Sequence, residues 1–81
     1  MRHELHLLQE HREEYPELVH VAEHFIILAT LAGGPRTVYD LSVVTGETLQ
    51  ETHRAIGLLE REGRVKRITA SDGRRLIARE G

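Results

Sequence analysis

Two helix-start signals stand one short helix apart in this chain, and together they constrain its fold more than any other feature. Thr37-Val38-Tyr39-Asp40 sets a hydroxyl three residues ahead of a carboxylate, and Thr48-Leu49-Gln50-Glu51 repeats the arrangement. In such a box the threonine side chain accepts a hydrogen bond from the backbone N–H three residues on, while the acid reaches back to the threonine's own N–H. Between the two starts, Thr45-Gly46 supplies a turn, with glycine free to adopt the left-handed conformation that ends a helix. The spacing therefore predicts two helices in tandem, tightly joined.

The flanking segments extend this pattern. Pro16 suits the first turn of an earlier helix, in which Leu18, Val21, Ala22, Phe25, Leu28, Ala29 and Ala32 line one wide apolar face, expected to meet the core. Gly33-Gly34-Pro35 ends it. In the helix after Thr37, Val38, Leu41 and Val44 are expected to face inward. In the helix after Thr48, the buried stripe is Thr52, Ala55, Ile56 and Leu59, and Gly63 is the stop. The period then changes. RVKRIT and RRLIAR are separated by Ala-Ser-Asp-Gly, and Asp-Gly is a strong hairpin signal. Ahead of Pro16, Leu5 and Leu8 have helical spacing, but Glu13 and Glu14 oppose the dipole of any helix ending there, and Pro16 disfavours a helical Tyr15. Residues 1–15 are expected to be an arm or short helix that needs a partner surface. Residues 16–81 are expected to be one α+β, mainly helical domain, a helix-turn-helix with a two-stranded hairpin after its third helix.

Composition excludes several function classes. The chain of 81 residues has no cysteine, hence no disulfide framework and no thiolate metal site. Its longest apolar run, Phe25 to Ala32, is too short to span a bilayer, and no basic-then-apolar signal segment opens it. A cytoplasmic location without a membrane partner is the expectation. Charge is unevenly distributed. Residues 1–53 carry three arginines against nine acids, and residues 54–81 carry eight Lys or Arg against four acids, giving formal charges of −6 and +4. A basic C-terminal part points to an anionic partner.

The stretch TVYDLSVVTGETLQETHRAIGLLEREGRVKRI resembles the winged helix-turn-helix of bacterial and archaeal regulators, notably the IclR and MarR types. The matching features are the Thr45-Gly46 turn, His53-Arg54 in mid-helix, the Leu59-to-Gly63 ending and Val65 opening the first strand; Ser71 to Arg75 is similar to the MarR-type wing. The resemblance covers roughly residues 18–79 and implies a transcription regulator that binds duplex DNA, with no reaction catalysed and no cofactor. It implies that the third helix enters the major groove and that the wing meets phosphate or the minor groove.

The residues suit those roles. Gln50, His53, Arg54, Gly57 and Arg61 fall opposite the buried stripe. Gln can pair with adenine edges and Arg with guanine or phosphate. Lys66, Arg67, Arg74 and Arg75 place positive charge in the hairpin, and Thr37 offers a hydroxyl and backbone N–H to phosphate. Two features depart from the family's pattern. Glu47 stands where an apolar residue is usual, and the helix start reads E-T-L-Q-E, acidic where the family is polar or basic. Those acids favour the alternative of a protein-interaction module without DNA binding.

The histidines raise a third possibility. Five of six lie at positions 3, 6, 11, 20 and 24, and His20 to His24 fits H-x-x-E-H, a zinc-peptidase pattern with Glu23 as base. Chance yields such a match in about one sequence of this composition in twenty. A peptidase also needs a third ligand and a cleft, which a small three-helix domain does not provide. As a metal-responsive regulator the chain would need ligands beyond His20 and His24, so no metal is assigned. The same helix wheel puts His20, His24, Ile27 and Leu31 opposite the expected core face. That leftover stripe, with Leu5 and Leu8 of the arm, is expected to form a homodimer interface.

Overall fold

The computed structural model describes residues 16–80, with side chains from residue 20 onward. Three helices, α1 (Pro16–Leu31), α2 (Val38–Thr45) and α3 (Leu49–Arg61), precede two strands, β1 (Val65–Thr69) and β2 (Arg75–Arg79). The strands pair antiparallel with Val65 opposite Arg79 and Thr69 opposite Arg75. The architecture is α+β and mainly helical. The expected arm, with Leu5 and Leu8, lies outside the described residues. No helix among the described residues is long and apolar enough to cross a membrane.

Local chemistry sets the element boundaries. At α2 the Thr37 hydroxyl accepts from the Asp40 N–H at 3.0 Å, and the Thr37 N–H donates to the Asp40 carboxylate at 3.4 Å, which completes the box. At α3 the forward bond is present, Glu51 N–H to Thr48 Oγ1 at 3.1 Å, whereas the return bond expected from Glu51 is not among the described hydrogen bonds. Gly46 ends α2 at φ 73°, its N–H bonded to the Ser42 carbonyl. Gly63 ends α3 at φ 73°; its N–H reaches the Glu60 carbonyl and the Arg64 N–H reaches that of Leu59. That pair of bonds is a Schellman motif, which satisfies carbonyls the helix end leaves open.

Ile27, Leu28 and Leu31 of α1 pack with Leu41 of α2, with Ala55, Ile56 and Leu59 of α3, and with Val65 and Ile77 of the hairpin. Each aliphatic side chain fully buried there contributes on the order of 1.5–3 kcal/mol. Two buried threonines share this interior without leaving a hydroxyl unmet. Thr45 Oγ1 donates to the Leu41 carbonyl and Thr52 Oγ1 to that of Thr48, both at 2.9 Å.

The buried stripe of α3 is Thr52, Ala55, Ile56 and Leu59, as expected. That of α1 is not the expected one. Ile27 and Leu31 are 0 % and 3 % exposed, so they belong to the core rather than to a leftover surface. Val21 and Phe25, expected inside, are 67 % and 72 % exposed, and Ala29 and Ala32 are exposed as well. Among the described side chains of the expected face Leu28 alone is buried, with Ala22 half-buried. The cause is that α1 is apolar nearly all round, so periodicity does not choose its face; the branched residues toward its C-terminal end fill the space over Leu41, Ile56 and Leu59. A smaller correction concerns α2, where Val44 is exposed and Thr45 buried in its place.

The hairpin is fastened at the middle of β2. Arg36, just before α2, pairs with Ile77 through two backbone bonds, Arg36 N–H to the Ile77 carbonyl at 3.0 Å and Ile77 N–H to the Arg36 carbonyl at 2.7 Å. One residue of the α1–α2 connection thus acts as a vestigial third strand beside β2.

Candidate nucleic-acid interface

The outward side of α3 and the inward side of the hairpin meet at an open cleft. Because strand side chains alternate, Val65, Arg67 and Thr69 share one face with their partners Arg79, Ile77 and Arg75. The Val65 and Ile77 side chains enter the core, while Arg67, Thr69 and Arg75 lie farther out and line the cleft with His53 of α3. Val38 and Ile77 give it an apolar part.

The Arg67 side chain is positioned by an ion pair. Its Nε lies 3.2 Å from Glu60 Oε1, a contact that joins β1 to α3. Both partners are about half exposed, so the pair orients the guanidinium more than it stabilises the fold. Glu60 stands two helical turns beyond His53, on the same side of α3. Gln50, Arg54 and Arg61 are exposed along the adjoining strip of that helix, with Gly57 half-buried among them.

Other expected contact residues are placed differently. Arg74 folds onto its own loop. Its Nε is 2.8 Å from Asp72 Oδ2, and its backbone N–H donates to Asp72 Oδ1 at 3.0 Å. That backbone bond, followed by the guanidinium, holds the Asp72 carboxyl below the usual carboxylate range. Lys66 is exposed, and alternation puts it on the hairpin face opposite Arg67 and Arg75. Thr37 does not offer a free N–H to phosphate, because the Asp40 carboxylate already accepts it and adds negative charge at that helix start. Glu47 and Glu51 are half-buried beside the start of α3, where they limit how anionic a ligand that end can face.

Glu60 and Thr69 did not figure among the expected site residues. Thr69 follows from the hairpin register, two positions along from Arg67. Glu60 has no local signal, since its partner is brought to it only by the turn between α3 and β1.

The histidine pattern on α1 comes apart in three dimensions. Glu23 is 5 % exposed, on the core side with Ile27, whereas His20 is exposed and His24 partly so. A base turned away from its supposed ligands cannot serve them. Among the described residues, no group of three or more His, Cys, Asp or Glu is placed to hold a metal ion. Partial burial lowers the pKa of His24, aided by the nearby His20 and Arg64 and opposed by Glu62.

Comparison of the chain with protein-family models, with curated proteins and with solved structures gives no match.

Proposed function

We propose that this chain is a winged helix-turn-helix protein that binds duplex DNA and regulates transcription, with α3 in the major groove and the β1–β2 hairpin as the wing on the backbone. One observation carries the proposal: His53 of α3 and Arg67 and Arg75 of the hairpin line the same cleft, continuous with the exposed Gln50, Arg54 and Arg61. Helix and hairpin thus offer one surface on which polar and cationic side chains stand beside apolar ones. The Gln50 amide matches the donor–acceptor pair of an adenine edge, and the Arg54 fork matches guanine O6 and N7. Arg61, Arg67 and Arg75 supply phosphate contacts, which contribute affinity without sequence information.

A mobility shift against a pool of duplex sequences tests this. Retention should weaken steeply with salt, since each phosphate contact releases a counterion. Arg75→Ala should reduce the slope of log affinity against log salt by about 1. Arg54→Ala should cost about 1–3 kcal/mol and relax sequence preference at one position. If both variants bind as the parent does, the assignment of the interface is wrong.

A second proposal, a protein-interaction module, is favoured by Glu47 and Glu51 beside the start of α3 and by the exposed Tyr39, Val43 and Leu49. Absence of binding to any duplex, with a partner protein lost on Val43→Glu, would select it.

A further inference from the structure

Among the residues that line the cleft between α3 and the hairpin, His53 is the one of a type whose charge changes near neutral pH. Imidazole ordinarily titrates between about pH 5 and 8, whereas arginine keeps its charge throughout. The cleft has a volume of about 380 Å³, the scale of a small-ligand site. Besides His53, three of its side chains can donate to an anion: Arg67, Thr69 and Arg75. The register holds them together, since Thr69 stands opposite Arg75 and alternation puts Arg67 on the same face.

Those donors are available. Among the described residues Arg67 is bonded through Nε alone, to Glu60, which leaves its two terminal nitrogens for a ligand. No ion pair of Arg75 occurs among the described residues. The charges about His53 oppose one another. Arg67 and Arg75 of the hairpin, with Arg54 on its own helix, disfavour a proton on the ring, and Glu60 favours one. From α2 the lining receives only Val38, which is uncharged. A phosphate entering the cleft adds a negative charge and turns that balance toward imidazolium. The protonated ring is also the better ligand, because it donates from both nitrogens where the neutral ring donates from one.

We propose that His53, Arg67, Thr69 and Arg75 form a seat for one backbone phosphate, and that His53 takes up a proton as the phosphate enters. The proposal rests on the DNA-binding reading and adds a regulation to it, since duplex affinity becomes coupled to pH. The sign follows from linkage. The complex holds more protons than the separated partners, so affinity rises as pH falls, by at most about tenfold per pH unit for one proton.

Duplex affinity measured between about pH 6 and 8 at constant ionic strength should show that rise. His53→Gln keeps a hydrogen-bond donor but cannot titrate, and its profile should be flat. His24→Gln, on α1 and outside the cleft, should keep the parent's slope. NMR of the His53 ring separates the sources of phosphate: a short duplex should move its titration to higher pH, and inorganic phosphate in place of chloride should do so more weakly. Movement by duplex alone would assign the seat to the nucleic-acid backbone. A parent that binds duplex equally at both ends of the range, or a His53 titration that neither ligand moves, overturns the inference and leaves DNA binding standing. A parent that binds no duplex at any pH removes the DNA reading instead; movement by inorganic phosphate would then keep the seat as a site for the free anion, and its absence would remove the seat as well.

Discussion

In the middle of α3, glycine at position 57 lowers helix stability by about 0.5–1 kcal/mol relative to alanine. A Cβ built there meets nothing within 4 Å, and Gly57 is not among the glycines with positive φ, so neither crowding nor backbone conformation calls for glycine. What remains is the space it leaves between Arg54 and Arg61 on the proposed DNA-facing side. Gly57→Ala should raise the melting temperature, consistent with a gain of up to about 1 kcal/mol, while weakening duplex binding in a mobility shift. A variant that gains stability and binds unchanged would remove Gly57 from the interface. His24 gives a pH prediction. Its pKa is lowered in the folded protein, chiefly by burial, so below the ordinary imidazole value the unfolded chain takes up the proton more readily than the folded one. The contribution of His24 to stability is therefore full above that value. It falls as the solution is acidified through it and levels off only below the folded protein's own lower pKa. Denaturation measured across that range should show the decline, and His24→Gln should flatten it.

Among the elements, those bounded by local chemistry were the most legible. Thr37 with Asp40, Thr48 with Glu51, Gly46, Gly63 and Asp72-Gly73 each act within a few residues, so their spacing alone placed α2, α3 and the hairpin. The burial of α3 was legible for a related reason: its outward side is polar, and contrast between the sides identifies the inner one. α1 lacks that contrast. With Val21, Phe25 and Ala29 on one side and Ile27 and Leu31 on another, which side turns inward is decided by the shape of the space over Leu41, Ile56 and Leu59, which no local pattern encodes. The difference can be measured. Ile27→Ala should destabilise the protein by about 2–5 kcal/mol, as expected for truncating a fully buried aliphatic residue, whereas His20→Ala, on the exposed side of the same helix, should change stability by less than about 0.5 kcal/mol. Comparable losses in chemical denaturation would mean that the orientation of α1 is wrong.

In the molecule as a whole, distant segments are joined by contacts that no run of sequence announces. Glu60 meets Arg67 across a turn, and Arg36 meets Ile77 across more than half the chain. For that reason the cleft could be foreseen as a set of cationic residues but not as an arrangement: Arg67 and Arg75 face α3, Lys66 faces away, and Arg74 is held by Asp72. The backbone bonds of Arg36 have a mechanical consequence. They anchor β2 at its middle residue, Ile77, which is sunk in the core, and nearer the root Val65 is sunk there too and the Glu80 N–H bonds to the Arg64 carbonyl at 2.9 Å. The loop from Ala70 to Arg74 is far from these anchors and is held by its own turn bonds. The hairpin is thus a cantilever, held to the rest of the fold by Arg36 and by the Arg67–Glu60 pair, with a tip whose described hydrogen bonds all lie within its own turn.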